Sequence, residues 1–368
     1  SAPGKTILMG EHAVVYGAPA LVAAVDLRAR AMAASGSDVP AGRVRLELPD
    51  LGHSDLLGTG EVRDYAARAR RRWNDFSRSP DRESYARMRG DGPGHVSLVA
   101  LGEAMEAAAR AGEEPDGDEG VRLTVTSDIP IGRGFGSSAA VGASVALAWL
   151  ARAGVEPSRV ELEELLLEVE RRQHGQPSGV DAAAVLRGGL VWAEPAPDGS
   201  GLRFESISAP AGLLDLFRVV DTGAPAENTG EIVSAVRERR DREPKAVDGA
   251  LGRIREATGE FRLLLEEVAP EPADAVELVR RCQRGLEELG VVPEPVREVV
   301  RAVEREGGAA KISGAGALTS PPEGPPGGGL LLVIHPDPER IRAWPFLADL
   351  DVLDIRTGAP GARVEEAR

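Results

Sequence analysis

A glycine-rich turn followed by two serines is the stretch of this sequence best suited to hold a phosphate group. Gly132, Gly134 and Gly136 fall at alternate positions, and Ser137 and Ser138 follow before an alanine-rich apolar run. Glycine reaches positive φ easily, and serine favours the start of a helix, where free N–H groups and the helix dipole attract anions. The pattern predicts a phosphate-binding loop, although an ordinary capped turn has the same composition.

The turn differs from the two commonest nucleotide-binding motifs. A P-loop requires a Gly–Lys–Ser/Thr sequence, which does not follow here. A dinucleotide-binding fingerprint requires a βαβ continuation with an acidic residue at a fixed distance, and the sequence lacks a clear one. Any phosphate site at this turn is therefore of another type.

Three ionisable side chains offer the remaining parts of a phosphoryl-transfer site. Glu170 and Asp181 flank a turn-rich segment, and Lys5 lies in an apolar N-terminal segment. Such a reaction needs a metal held by oxygens, a cation on the transferred group and a group that handles the acceptor hydroxyl. If Lys5 pairs with Asp181, it keeps that carboxylate ionised, and the other carboxylate is free to hold magnesium. The alternatives are a solvated helix face for Glu170 and an N-terminal capping role for Asp181.

Both strands and helices are needed to position these residues. The helix 158–172 begins at a capping serine, and its apolar face consists of Leu162, Leu165, Leu166 and Val169. Residues 50–94 are charged and predict surface helices and loops, and a domain change is expected near residue 205. Hydrophobic periodicity predicts further helices at 96–111, 247–268, 273–289, 294–306 and 338–347, and strands at 20–48, 121–125, 190–193, 217–221, 309–313, 330–335 and 352–356.

Composition excludes several classes of protein. The chain has 368 residues, enough for two domains, and its net charge of −15 argues against nonspecific nucleic-acid binding and anionic membrane surfaces. Cys282 is the single cysteine, so a disulfide framework is excluded and a reducing cytoplasm is expected. No apolar run approaches the length of a membrane span.

Five segments together resemble the GHMP kinase superfamily. The first contains Ala–Pro–Gly–Lys and Gly–Glu–His–Ala–Val–Val–Tyr–Gly, and the others contain the glycine loop, His–Gly–Gln–Pro–Ser–Gly–Val–Asp, Asp–Thr–Gly–Ala–Pro–Ala–Glu–Asn–Thr and Lys–Ile–Ser–Gly–Ala–Gly. They occupy residues 1–17, 130–140, 174–181, 221–229 and 311–316. Residues 1–17 resemble the family's first motif, residues 130–140 its second, and residues 311–316 the start of its third motif. The segment 174–181 favours the mevalonate kinase family over galactokinase or homoserine kinase. The motifs occur in the family's order over most of the chain.

The resemblance implies an α+β fold in two domains. Residues 1–205 would form an N-terminal domain like the second domain of ribosomal protein S5, carrying the phosphate loop and the catalytic residues. Residues 206–368 would form a ferredoxin-like domain, and its final strand could pack back on the N-terminal domain. The family fold includes a left-handed crossover, which general topology rules do not predict. A homodimer is left open.

The same resemblance assigns roles to individual residues. Asp181 would be the catalytic base or the acceptor-orienting carboxylate, with Lys5 as its cationic partner. Glu170 and Ser138 would hold Mg²⁺. The ATP phosphates would be wrapped by Gly134, Gly136, Ser137, Ser138 and Ala139, and the site would be closed by Gly314, Ala315 and Gly316. The residues near the acceptor would be Glu11, His12 and Thr229.

The function implied is transfer of the γ-phosphoryl group of MgATP to the 5-hydroxyl of mevalonate, in the route to isoprenoids. Two alternatives remain: a kinase of the same fold acting on phosphomevalonate or a sugar, and a nucleotide-binding regulatory protein that has lost catalysis. Ala317 to Ser320 and a Pro/Gly insert stand where the family has further glycines, and this departure motivates the second alternative. Phe135 replaces a usual leucine, and Ala182 replaces a common asparagine.

Overall fold

Two β-sheets organise the protein in the computed structural model, which describes residues 1–79, 81–90, 92–113, 119–199, 201–353 and 355–366. In this part of the chain, the first sheet has seven strands and the second has four. Helices accompany both sheets, so the mixed α+β class expected from the sequence is confirmed.

The first sheet is built around one long strand. Its strands are β1 (Ala2–Met9), β2 (Ala20–Ser35), β3 (Arg43–Leu48), β4 (His53–Gly58), β5 (Val121–Ser127), β6 (Leu190–Pro195) and β7 (Leu202–Ile207). The order is β4-β3-β5-β2-β6-β7, with β1 antiparallel beside β2. Strand β2 has 16 residues and pairs with β1, β5 and β6, so it fixes the position of β1 and its Lys5.

The helices of the first part carry the candidate site residues at their ends. They are α1 (Thr59–Arg78), α2 (Arg82–Met88), α3 (His95–Arg110), α4 (Ser137–Arg152), α5 (Arg159–His174) and α6 (Val180–Arg187). Helix α4 lies against β1 and β2, and four of its small side chains are buried, those of Ala139, Ala140, Ala143 and Ala146. Because these side chains are small, the helix approaches the sheet closely and brings its N-terminus next to β1.

Helix α5 begins as the sequence predicts. The Ser158 side chain accepts a hydrogen bond from the Glu161 N–H, and the Glu161 carboxylate accepts one from the Ser158 N–H. This reciprocal capping box satisfies two amides that lack helical partners. The predicted apolar face is buried at all four positions, Leu162, Leu165, Leu166 and Val169.

The second sheet is antiparallel throughout. Its strands are β8 (Phe217–Asp221), β9 (Ala309–Ser313), β10 (Leu330–Ile334) and β11 (Asp351–Leu353), in the order β11-β8-β10-β9. Its helices are α7 (Thr229–Arg242), α8 (Pro244–Leu264), α9 (Pro272–Glu288) and α10 (Glu294–Arg305). The two sheets divide between residues 207 and 217, while a domain boundary at residue 205 stays a prediction.

Three local predictions differ from the structure. Residues 53–58 form strand β4 within a segment expected to hold only helices and loops. Residues 338–347 form two 3₁₀ turns, Pro338–Ala343 and Pro345–Leu347, instead of one helix. Trp344 between them is extended, because a residue before proline avoids the helical region and proline has no N–H to donate. The last strand ends at Leu353, and Asp354 of the predicted strand 352–356 lies outside the described residues.

The chain returns to the first sheet after its last strand. Strand β11 stays in the second sheet beside β8, so it is the following tail that packs back. Thr357 forms a bridge with Val25, and the Arg28 guanidinium donates to the carbonyl oxygen of Pro360 at 2.8 Å. None of the helices in the described part of the chain combines the length and apolar character needed to span a bilayer.

Candidate active site

The glycine loop leads directly into helix α4. Gly132, Gly134 and Gly136 all have positive φ, of +73°, +97° and +68°, which side chains other than glycine rarely adopt. Gly136 occupies the N-cap position, and no side chain caps the helix there. The first N–H groups of α4 are therefore available to an anion, as the sequence predicts for a phosphate loop.

Lys5 and Asp181 lie directly beneath this loop. The Lys5 Nζ is 3.0 Å from the Asp181 Oδ1, and the Lys5 N–H donates to the Phe135 carbonyl oxygen at 2.8 Å. A Cβ on Gly136 would lie 2.8 Å from the Lys5 Cγ and 3.5 Å from the Asp181 Oδ2. Glycine at position 136 thus allows the loop to cover the ion pair closely.

Glu170 is a buried carboxylate that needs a partner. It is 2% exposed, and its Oε1 has no hydrogen-bond partner among the described residues. Burial raises the pKa of Glu170 well above its usual value, the negative charge of Asp181 raises the pKa further, and Lys5 lowers it in part. An unpartnered carboxylate oxygen beside a second carboxylate fits an oxygen-seeking divalent cation. The described residues contain no cluster of three metal-binding side chains, so Ser138 and nucleotide phosphates would have to supply the other ligands.

His174 joins this group, although sequence reasoning gave its side chain no role. Its Nε2 lies 3.2 Å from the Ser138 Oγ, and burial lowers its pKa, partly opposed by the charge of Asp181. His174 follows Glu170 by four positions on α5, so the two side chains share one helix face. That spacing is the sequence signal that could have identified His174.

Glu11 and His12 connect the N-terminal segment to the second sheet. Glu11 is ion-paired with Lys311, and both side chains are completely buried. The His12 Nε2 lies 2.9 Å from the Ala315 carbonyl oxygen, and burial lowers the pKa of His12. The structure thus places both side chains in the interior, against the strand and turn of the third motif. Their predicted role near the acceptor stays a prediction.

The third-motif turn lies against the phosphate loop. A Cβ on Gly134 would lie 3.2 Å from the Ser313 carbonyl oxygen, and one on Gly314 would lie 3.9 Å from the Gly134 Cα. The Ser313 hydroxyl is 2.9 Å from the Thr6 hydroxyl and accepts the Ile7 N–H at 3.0 Å. The structure therefore brings Gly314 to Gly316, the glycine loop and β1 together, while their contacts with a nucleotide stay predicted.

Thr229 stands apart from these residues. It is exposed in the first turn of α7, and Asn228, not Thr229, is the N-cap, because the Asn228 Oδ1 accepts the Glu231 N–H at 3.1 Å. Asparagine at N-cap satisfies an amide that the helix cannot. Among the described contacts, none joins Thr229 to Asp181, and its role at the acceptor stays a prediction.

Helices α1 and α2 connect the turn that follows α5 to α7, and neither was singled out from the sequence as part of the site. Phe76 packs against Gly175, where an added Cβ would approach its ring to 2.6 Å. The Phe76 and Tyr85 rings lie 5.8 Å apart, and the Tyr85 hydroxyl would be 3.1 Å from a Cβ on Gly230. These contacts connect the turn that follows α5 to the first turn of α7, where Thr229 lies.

The chain resembles known kinases over almost its whole length. Residues 100–189 match a family model described as the GHMP kinases N terminal domain. A mevalonate kinase from Thermococcus sibiricus is 31% identical, over 92% of this chain and 89% of that protein. One from Pyrococcus horikoshii is 29% identical, over 100% of this chain and 97% of that protein.

Solved structures show the same fold. The Methanococcus jannaschii mevalonate kinase aligns with a TM-score of 0.72 at 21% identity, covering 97% of this chain and 96% of that one. A Streptococcus pneumoniae phosphomevalonate kinase, in complex with phosphomevalonate and AMPPNP, aligns with a TM-score of 0.68 at 17% identity, covering 97% of this chain and 98% of that one. At these identities the structural likeness concerns the fold alone.

Proposed function

Since the chain belongs to the mevalonate kinase family of the GHMP kinases, we propose that it transfers the γ-phosphoryl group of MgATP to the 5-hydroxyl of (R)-mevalonate. The observation that carries this proposal is the Lys5–Asp181 ion pair beneath the glycine loop, with the unpartnered carboxylate of Glu170 beside it. This arrangement supplies the parts that phosphoryl transfer needs.

Asp181 and Lys5 have different roles in the transfer to the acceptor hydroxyl. The Asp181 side chain is 29% exposed, so it can accept the proton of the acceptor hydroxyl as the new oxygen–phosphorus bond forms. The bond between the γ-phosphorus and the ADP oxygen breaks in the same displacement. Lys5 is only 5% exposed and balances the charge of Asp181 while facing the transferred group.

Glu170 and Ser138 would hold the magnesium ion, with nucleotide phosphates completing its ligands. When bound, the metal neutralises charge on the phosphate oxygens. His174 can accept a hydrogen bond from the Ser138 hydroxyl, which leaves a lone pair of the Ser138 oxygen free to bind the metal. The N–H groups at the start of α4 would bind the phosphates from the other side.

The altered third motif is compatible with an active enzyme. After Gly316, the Ala317 N–H donates to the Val291 carbonyl oxygen, and the Thr319 hydroxyl donates to Glu227 at 2.7 Å. These contacts direct the insert towards the loop that precedes α7.

The experiment is a measurement of ADP release from the purified protein with MgATP, with and without (R)-mevalonate. Mevalonate-dependent ADP, with 5-phosphomevalonate identified by mass spectrometry, would establish reaction and acceptor together. ADP release with phosphomevalonate or a sugar, and none with mevalonate, would identify that molecule as the acceptor. ATP binding without turnover on any of them would favour the regulatory alternative. A cytoplasmic location and the use of Mg²⁺ are parts of the same proposal.

A further inference from the structure

Arg133 is a charged residue inside the glycine loop that the proposed mechanism does not use. It lies between Gly132 and Gly134, and its Nε is 3.1 Å from the Asp221 Oδ2. The Arg133 side chain is 29% exposed and that of Asp221 is 13% exposed. Asp221 is the last residue of β8, and its Oδ1 accepts the Gly223 N–H at 2.8 Å. This hydrogen bond fixes the orientation of the carboxylate that pairs with Arg133.

The ion pair belongs to a larger contact between the loop and one end of the second sheet. Leu330 is paired with Asp221 on one side and with Ser313 on the other, so these residues end their strands together. A Cβ on Gly134 would lie 3.2 Å from the Ser313 carbonyl oxygen, and one on Gly329 would lie 3.5 Å from the Arg133 carbonyl oxygen. The loop backbone therefore rests on this end of the sheet, and the ion pair adds a charged side-chain contact to it.

A loop with three glycines at positive φ has a particular need for such a contact. Glycine loses more conformational freedom on ordering than any other residue, so fixing this loop around a nucleotide costs binding free energy. A contact that fixes the loop beforehand removes part of that cost. Because the pair is partly buried and one partner is already hydrogen-bonded, it is less weakened by solvent than an exposed pair.

We propose that the Arg133–Asp221 ion pair is a latch that holds the glycine loop against the second sheet in the shape that binds MgATP. Arg133 and Asp221 are then positioning residues for the nucleotide. The proposal rests on the proposed function in one respect, since it takes the loop to be the site of the ATP phosphates. A different role is a direct bond from Arg133 to a phosphate, in which case Asp221 would not be needed.

A double-mutant cycle separates these roles. MgATP dissociation constants are measured by calorimetry for the wild type, Arg133→Ala, Asp221→Asn and the double variant. The latch predicts about tenfold weaker binding for each single variant and no further loss in the double variant, as expected for directly coupled residues. At saturating MgATP, kcat and the KM for mevalonate stay within about twofold of the wild type, because only nucleotide binding changes. Weaker binding for Arg133→Ala with unchanged binding for Asp221→Asn would overturn the latch, as would additive losses.

A matched control comes from a second ion pair, one of whose residues, Asp128, lies shortly before the glycine loop in the sequence. The Arg30 Nη1 lies 2.6 Å from the Asp128 Oδ2. The Arg30 side chain is 50% exposed and that of Asp128 is 57% exposed. This pair lies at the end of β5 within the first part of the chain and does not reach the second sheet. Arg30→Ala therefore leaves MgATP binding unchanged.

Hydrogen exchange in the nucleotide-free protein tests the latch without any activity. Amides of residues 131–136 should exchange faster in Arg133→Ala and in Asp221→Asn than in the wild type, and at the wild-type rate in Arg30→Ala. Unchanged exchange in the first two variants would contradict the latch. If the wild type binds MgATP and its loop exchanges more slowly than in Arg133→Ala and Asp221→Asn, but mevalonate is not phosphorylated, the proposed function alone is contradicted, so the two failures are distinguishable.

Discussion

Lys5 reaches from the first strand to Asp181 at the start of α6, with 3.0 Å between the Nζ and the Oδ1. The ammonium group is almost completely buried, whereas the carboxylate is partly open. Removing a single charged group from solvent is costly without a partner, so each residue depends on the other for its position. Gly136 covers the pair, and the loop, the cation and the carboxylate form one unit.

Substitution of Gly136 by alanine should damage activity far more than stability. The new Cβ would lie 2.8 Å from the Lys5 Cγ, so Lys5 must move away from Asp181. We expect kcat to fall by about 100-fold, the loss that a displacement of about 1 Å can cause. The matched control is Gly154→Ala, just after the C-terminal end of α4. Its φ is +72°, and an added Cβ there would have no neighbouring atom within 4 Å. Both variants carry similar backbone strain, so equal losses of kcat would contradict the account.

Substitution of Glu170 by glutamine should separate activity from stability. The pKa of Glu170 is raised in the folded protein, so its contribution to stability is complete below the ordinary glutamate pKa and is lost as pH rises through the folded value. Without metal, Glu170→Gln should therefore gain stability relative to the wild type, and by more at pH 8 than at pH 5. Its kcat/KM should fall at least about tenfold, as is common for disturbed metal sites.

Guanidinium unfolding in the presence of a chelator measures the stability part of this prediction. Glu164→Gln on the same helix is the control, because Glu164 is exposed and should change neither quantity. A Glu170→Gln variant that is less stable than the wild type at pH 8 would contradict a raised pKa for Glu170.

Cys282 should be inert in the folded protein. Burial, and then the negative charge of Glu11, raise the pKa of its thiol to about 12, and its side chain is completely buried. The reactive thiolate is therefore scarce at pH 8. A disulfide reagent such as DTNB should label the native protein only slowly and should label one thiol per chain after unfolding in guanidinium. Rapid labelling of native protein would contradict the described packing.

The neighbours Asn228 and Thr229 should respond differently to alanine. Asn228 caps α7, so Asn228→Ala should lower the free energy of unfolding by about 1 kcal/mol, as measured with urea. Thr229→Ala should leave stability unchanged and raise the KM for mevalonate about tenfold if its hydroxyl meets the acceptor. A Thr229→Ala variant with unchanged kinetics would remove Thr229 from the proposed site.

Local sequence indicated several elements of the candidate site, whereas the roles of their residues came from the resemblance to the kinase family and stay predictions. The glycine loop, the capped start of α5 and the acidic residues near its end are each recognisable within a short segment. Helix caps and glycine turns depend on nearby residues, and these predictions needed no knowledge of the tertiary fold.

Contacts between distant segments were beyond that reasoning. The Arg133–Asp221 ion pair depends on how the glycine loop meets the second sheet, and although both residues lie in segments recognised from the sequence, nothing in those segments indicates that they meet. The buried Glu11–Lys311 pair is similar, because its position follows from the packing of β1 against β9. Strand β4 was missed because its sequence, His–Ser–Asp–Leu–Leu–Gly, has no clear alternation of apolar and polar residues.

Turnover of Asp181→Asn and Lys5→Met with saturating MgATP and (R)-mevalonate tests the proposed catalytic pair most directly. We expect kcat to fall by about 100-fold or more in each variant, the size expected when a group that handles the acceptor proton is lost. MgATP binding to Asp181→Asn, measured by calorimetry, should change much less than kcat. Near-normal turnover in both variants would contradict the assignment of Lys5 and Asp181 as the catalytic pair.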